Sequence, residues 1–114
     1  MSENIDLRVP GTRARLRVRT AAPWRSAVGL LGTRDLRVPH ALWVKRCRRI
    51  HTFGLIDAVD VVFLRADGVV AKVVNGMKPW RTTGCREAST VLELRAGLAQ
   101  RLNIAPGVAL DLLA

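Results

Sequence analysis

The sequence predicts a mainly β fold: a compact antiparallel sandwich or a partly closed barrel with one or two short helices. Three observations predict it. Polar and apolar residues alternate strictly over 12–20, a β-branched apolar run occupies 59–64, and Gly or Pro separates several further short strand patterns. Of the 114 residues, 49 % are hydrophobic, which is enough for one core.

The chain is predicted to contain one domain and a short arm. Residues 1–11 include five polar residues and end in Pro10-Gly11, so we expect a loose N-terminal arm. The remaining residues, 12–114, fit a single β-rich domain.

The first predicted strand, 12–20, is amphipathic in an unusual way. Ala14, Leu16 and Val18 share one face, and the other face carries only cations. These are Arg13, Arg15, Arg17 and Arg19. Residues 24–31 are then predicted to form a short helix, bounded by Pro23 and Gly32.

The middle of the chain carries the strongest strand signals. Short strands are predicted at 40–44 and 50–53, separated by the basic cluster 45–49. The run Val59–Leu64, the turn Asp67-Gly68 and the return strand Val69–Val74 predict a β-hairpin.

The C-terminal part alternates between loops and short elements. Residues 76–88 contain Pro79 and two glycines and are predicted to be a long loop. A strand at 89–94, a helix at 96–102, a turn at Pro106-Gly107 and a final strand at 108–113 complete the prediction.

The chain is strongly basic. It has 19 Lys and Arg against 9 Asp and Glu, a net charge of +10, and most of the cations are Arg. Arginine keeps its charge and offers a planar fork of donors to phosphates and carboxylates. This composition suits an anionic partner such as nucleic acid, an acidic protein or a membrane surface, but it equally suits a solvated basic surface, which we favour.

Cysteine and histidine usage indicates neither a metal site nor a secreted protein. Cys47 and Cys85 match no zinc spacing, His40 and His51 form no ligand pair, and we predict no metal and no cofactor. The two cysteines are expected to be buried as small apolar residues, and a disulfide would require close Cα atoms. Without a signal peptide pattern or an apolar run long enough to span a membrane, the predicted location is cytoplasmic.

Several blocks of the sequence resemble a known family. They are 25–32 (RSAVGLLG), 50–55 (IHTFGL), 60–64 (DVVFL), 79–81 (PWR) and 91–97 (VLELRAG). Their order and spacing resemble the family known as domain of unknown function 192, over about residues 13–113. Ala58 stands where that family usually has proline, and Arg65 where an acidic residue is common. The resemblance implies a compact β-rich fold and no established activity.

One group of residues is the main candidate site. Asp60 leads an otherwise apolar strand, where a carboxylate needs a partner, and Arg81 is the first candidate for that role. We expect His51, Asp60, Trp80 and Arg81 to form a ligand pocket with Trp80 as its apolar wall. The alternatives are a strand histidine bonded to the backbone and a buried ion pair of purely structural value.

The arginine face of residues 12–20 is a second candidate, as an anion-binding surface for nucleic acid. A charged edge strand that resists aggregation is the favoured explanation of the same pattern. We therefore expect a non-enzymatic ligand- or peptide-binding module, with a nucleic-acid-associated protein as the alternative. An enzyme is the weakest expectation, because no nucleophile lies in a recognisable catalytic motif.

Overall fold

Nine strands and one short helix make up the part of the chain that the computed structural model describes, residues 4–9, 11, 15–21, 40–55 and 57–113. The strands are β1 (Asn4–Arg8), β2 (Arg15–Ala21), β3 (His40–Lys45), β4 (Arg49–His51), β5 (Val59–Leu64), β6 (Val70–Met77), β7 (Thr82–Gly84), β8 (Thr90–Arg95) and β9 (Asp111–Leu113). The helix is α1 (Leu98–Arg101), between β8 and β9.

Seven of these strands form one sheet, in the order β6-β5-β8-β3-β2-β1-β9. Neighbouring strands are antiparallel except β2 and β3, which are parallel. The sheet is not closed into a barrel, since β6 and β9 are its two edges. β4 and β7 form a separate two-stranded ribbon, called the ribbon below. The prediction of a mainly β fold with antiparallel sheets is confirmed.

The sheet is covered on both faces by apolar groups. Val62 and Leu64 of β5 belong to a cluster that includes Ala99 of α1. Val61 and Phe63 belong to a second cluster that includes Ile50 of the ribbon. All six residues of β5 are therefore buried, which explains why five of them, all but Asp60, are apolar without alternation.

The predicted central hairpin is present as β5 and β6. Its turn is closed by the Arg65 N–H, which donates to the Val69 carbonyl at 2.9 Å, and Gly68 adopts a φ of 87°, which glycine tolerates without strain. β6 continues past the predicted end at Val74 to Met77, and the register shifts between Val59 and Val61.

Two predicted loops are strands instead. Asn4–Arg8, expected in a loose arm, forms β1 between β2 and β9, and Leu7 and Val9 are buried. Residues Thr82–Gly84, expected in a long loop, form β7. For β1, the alternation of the apolar residues Ile5, Leu7 and Val9 already indicated a strand. β7 has no such pattern, and its strand conformation depends on its pairing with β4.

The arginine strand is not an edge strand. β2 lies between β1 and β3, so its backbone is paired on both sides and a role in blocking an exposed edge does not apply. Leu16 and Val18 are buried as the alternation predicts. Arg13 and the predicted helix at 24–31 lie outside the described residues. α1 is shorter than the helix predicted at 96–102.

Candidate binding surface

Thr52 organises the end of the ribbon. Its side chain is fully buried, and its hydroxyl donates to the Lys78 carbonyl at 2.7 Å and accepts from the Arg81 N–H at 2.9 Å. The Thr52 backbone N–H donates to the Arg81 carbonyl at 2.9 Å, and its carbonyl accepts from the Trp80 N–H at 3.1 Å. One residue therefore fastens the segment 78–81 to the end of β4.

Trp80 has a strained backbone within this segment. Its φ is 63°, in the left-handed region that bulky residues rarely adopt. The indole that this backbone carries is not buried, since 65 % of Trp80 is exposed. The fold thus tolerates local strain while placing a large apolar ring in solvent.

Three rings lie in a row at one end of the ribbon, and we call His51, Phe53 and Trp80 the aromatic strip. The His51 and Phe53 ring centroids are 4.9 Å apart with planes tilted by 31°. The Phe53 and Trp80 centroids are 5.7 Å apart with planes only 25° from parallel. His51 is exposed and Phe53 is 46 % exposed, so the strip is a solvent-facing row of rings and not a core cluster.

Exposed cations lie in the two chain segments that carry the aromatic strip. Within 46–55 and 77–88 there are six Lys or Arg residues, all exposed, and we call them the basic rim. They are Arg46, Arg48, Arg49, Lys78, Arg81 and Arg86. Glu87 is the one acidic residue in these two segments. Its own backbone N–H, followed by the Cys85 thiol at 3.3 Å, lowers the pKa of Glu87.

Three of the four predicted pocket residues lie together. His51 pairs with Thr82 across the ribbon, directly after Arg81, and Trp80 joins His51 through the ring of Phe53. All three residues are exposed. No carboxylate of the described residues hydrogen-bonds to His51, so the orienting group that a general base would need is missing from this part of the chain.

Asp60 does not belong to this surface. Its side chain is fully buried, and Arg81 is not its partner. One carboxylate oxygen accepts from the Gly76 N–H at 2.8 Å. The other accepts from the N–H groups of Gly97 and Ala99, at 3.0 and 2.9 Å. Asp60 thus ties β5 to Gly76 of β6 and to the start of α1, which is a structural role.

Phe53 is the member of the strip that sequence reasoning missed. The signal was present, because His51 and Phe53 are two residues apart and side chains two apart along a strand share a face. Ile50 between Arg49 and His51 is buried while both neighbours are exposed. The outward-facing row therefore begins at Arg49 and continues through His51 toward Phe53.

Both cysteines are free thiols that contact the second apolar cluster, and Cys47 is buried whereas Cys85 is half-buried. The Cys47 thiol donates to the Arg49 carbonyl at 3.1 Å. Burial, with a further contribution from the charge of Glu93, raises the pKa of the Cys47 thiol. Cys47 is therefore suited to packing beneath the ribbon and not to nucleophilic chemistry.

Cys47 is expected to react with a thiol reagent more slowly than Cys85 in the folded protein at pH 8, because burial both raises the pKa of the Cys47 thiol and shields it from the reagent, whereas Cys85 is only half-buried. The raised pKa also makes folding pH-dependent. Above the ordinary cysteine pKa of about 8.5, Cys47 ionises first in the unfolded chain, so stability falls as the pH rises toward the folded-state pKa.

Mass spectrometry of partially modified protein measures the order of reaction of the two thiols. Urea unfolding between pH 7 and 10 measures how stability changes with pH. The Cys47→Ala variant should lack the loss of stability that ionisation of Cys47 causes. Equal reactivity of the two thiols, or parallel pH profiles for the two proteins, would contradict the expectation.

No helix among the described residues combines the length and apolar character needed to span a membrane.

The fold and the ribbon define a class: a small domain with one mixed, mostly antiparallel sheet and an aromatic, cation-rich ribbon against one face. Comparison of the sequence with protein-family profiles gives the family of the chain. The domain of unknown function 192, described as an uncharacterised ACR, matches residues 6–112, and the chain belongs to this family. The resemblance seen in the sequence is thereby confirmed.

Two solved structures are similar to this chain. A Sinorhizobium meliloti protein described as a “putative transcription regulator” is 25 % identical with a TM-score of 0.80, covering 98 % of this chain and 94 % of that one. A Novosphingobium aromaticivorans protein of unknown function is 21 % identical with a TM-score of 0.72, covering 95 % of this chain and 84 % of that one. The second likeness concerns the fold alone. Among curated proteins, none matches the chain.

Proposed function

We propose that this chain is a non-enzymatic binding module that receives its ligand on the aromatic strip. The observation that carries the proposal is Trp80, a solvent-exposed indole on a left-handed backbone, stacked on the exposed ring of Phe53. Backbone strain that persists while placing a side chain in solvent is typical of functional sites. Exposed aromatic rings are also the residue type that contributes most to binding energy at interfaces.

The local framework supports the same proposal. Four hydrogen bonds between Thr52 and the segment 78–81 hold Trp80 next to Phe53, so the two rings are positioned before any ligand arrives. Preorganisation of this kind lowers the entropy lost on binding. A ligand with a flat apolar face could therefore stack on the strip with little rearrangement of the protein.

Nuclear magnetic resonance of the full chain, titrated separately with adenosine, indole and benzoate, tests the proposal. We expect at least one of these flat probes to shift the backbone signals of residues 49–53 and 80–82. Trp80→Ala should abolish these shifts, whereas Arg101→Ala, at an exposed position on α1, should keep them. Shifts confined to other parts of the chain, or unchanged in Trp80→Ala, would overturn the proposal.

The strain at Trp80 makes its own prediction about stability. Trp80→Gly and Trp80→Ala both remove the indole, but only alanine keeps a Cβ that disfavours a positive φ. We expect the glycine variant to be more stable by about 1 kcal/mol. Urea unfolding of the two variants measures the difference.

Arg81 provides the matched control, because its φ is not positive. There alanine should be the more stable replacement, since glycine loses more conformational freedom on folding. If alanine is at least as stable as glycine at position 80 as well, the backbone of Trp80 is not strained.

A second candidate function, association with nucleic acid through the arginine strand, is supported by the register of β2. Arg15, Arg17 and Arg19 alternate along this strand with residues that are buried. Arg13, the fourth predicted member, lies outside the described residues. Replacing Arg15, Arg17 and Arg19 by Gln should lower the salt dependence of DNA binding by about 0.7–0.9 in log–log slope for each phosphate that the protein no longer neutralises. An unchanged slope would exclude this surface.

A further inference from the structure

The order of the rings and charges on the ribbon points to one class of ligand. Resting on the proposed function of the aromatic strip, we infer that this strip, and not the arginine strand, binds single-stranded nucleic acid by stacking a base on the exposed indole of Trp80, which Phe53 supports from the other side, while the basic rim contacts phosphates. Aromatic platforms beside cations that follow the backbone are how proteins bind single strands without sequence preference.

The geometry of the rings supports stacking. His51, Phe53 and Trp80 form a row with centroid separations of 4.9 and 5.7 Å and modest tilts. Trp80 ends the row with 65 % of its surface exposed. A base that stacks on the indole continues the row, and any base can do so because every base has a π-face.

The positive charge of the ribbon favours an anionic ligand over a neutral aromatic ligand. The basic rim provides six exposed cations, and Glu87 is the one acid within the same two segments. Arg49 begins the outward-facing row that His51 continues, and Arg81 directly follows Trp80 in the chain. Side chains on one face of a strand repeat roughly every 6.6–6.8 Å, which is comparable to the spacing of phosphates along a strand.

Other anionic partners satisfy fewer of these features. An acidic peptide offers charge but no regular series of flat rings. An anionic membrane offers charge and an apolar interior, but it offers no flat ring to continue the row that Phe53 and Trp80 form. A single strand uses both the rings and the cations.

The test measures binding of the full chain to a fluorescein-labelled oligothymidylate and to an abasic strand of the same length, by anisotropy at low salt. The abasic strand keeps the phosphates and lacks the bases. We expect the oligothymidylate to bind more tightly, by a factor of about 5 to 150 for each stacked base. Trp80→Ala and Phe53→Ala should reduce this preference, and Trp80→Ala should reduce it most.

Charge variants separate the two parts of the site. Arg49→Gln and Arg81→Gln should weaken binding to both strands equally and lower the salt slope by roughly 0.7 for each phosphate left without its cation. Arg101→Gln removes the same charge from α1, which packs against the other apolar cluster. It should change the affinity only through the lower net charge of the protein and should leave the salt slope unchanged. Equal affinity for the two strands, unchanged by Trp80→Ala, would overturn the inference and leave only non-specific attraction.

Two further probes distinguish failure of this inference from failure of the proposed function. They are a polyglutamate peptide and vesicles of phosphatidylcholine with phosphatidylserine. Binding of either that disappears in Trp80→Ala, without base-dependent binding of the oligothymidylate, would overturn the nucleic-acid inference and keep the binding module. If neither probe, nor the oligothymidylate, nor the small flat probes depends on Trp80, both proposals fall.

Discussion

Asp60→Ala is expected to lower the free energy of unfolding by about 3–5 kcal/mol, the largest effect that we expect from any single change to a polar side chain. Asp60 is fully buried, and its carboxylate accepts from three backbone N–H groups, those of Gly76, Gly97 and Ala99. Alanine removes all three bonds, each made to a charged group and worth about 1.5–3 kcal/mol, and it leaves the buried Ala99 N–H without a partner.

Asp60→Asn gives a graded comparison. The amide keeps one acceptor oxygen, which can serve either Gly76 or the two N–H groups of α1, but its NH₂ group then faces a donor. The expected order of stability is therefore wild type, then asparagine, then alanine. Urea unfolding measures this order as a shift in the urea concentration at the midpoint of unfolding, provided that the dependence of the unfolding free energy on urea is the same for the three proteins.

Asp67→Ala is the control for Asp60→Ala. Asp67 is exposed, and its carboxylate accepts from the Val69 N–H in the turn at 3.1 Å and lies 3.9 Å from Arg65. Its removal should cost no more than about 1 kcal/mol, because water can replace these interactions. A cost for Asp60→Ala as small as that for Asp67→Ala would show that Asp60 does not join β5 to β6 and α1 in solution.

Thr52→Val is expected to cost about 2–3 kcal/mol and to loosen the aromatic strip. Valine has nearly the shape of threonine, but it leaves the Lys78 carbonyl and the Arg81 N–H without the hydroxyl that bonds them at 2.7 and 2.9 Å. Because these bonds hold the segment 78–81 against β4, the stacking of Trp80 on Phe53 should weaken as well. Urea unfolding measures the first effect, and ring-current shifts of the Phe53 protons measure the second.

Thr52→Ser separates the hydroxyl from the methyl group. Serine keeps both hydrogen bonds and removes only a buried methyl, so it should cost about 1 kcal/mol and preserve the ring-current shifts. A serine variant less stable than the valine variant would show that packing of the methyl group, and not the hydroxyl, holds this part of the ribbon.

The sequence contained most of the sheet because strand signals are local. Val59–Leu64, the Asp67-Gly68 turn and the return strand are contiguous in the chain, and the structure contains this hairpin. Thr90–Arg95 and His40–Lys45 were recognisable for the same reason. A side-chain period of two is a property of the strand itself and does not depend on what covers it.

Elements that depend on distant partners were not recognisable. β7 has three residues, Thr82–Gly84, and is held by β4 and by Lys72, whose ammonium donates to the Thr83 hydroxyl and the Gly84 carbonyl at 3.1 and 2.9 Å. No period-two pattern in 82–84 predicts a strand. The β1 pattern was readable at Ile5, Leu7 and Val9, but the polar residues around it favoured a loose arm.

The sequence by itself determined the β-rich class, the central hairpin, the family and three members of the aromatic, cationic surface: His51, Trp80 and Arg81. Only the tertiary structure decided the role of Asp60. Its carboxylate accepts from the Gly97 N–H, 37 residues away at the start of α1, and Gly97 provides no side-chain cap for that helix. The tertiary structure also decided that Phe53 joins His51 to Trp80. The physical reason is that strand periodicity is local, whereas a buried carboxylate or a row of rings is defined by whichever distant segments the fold places beside it.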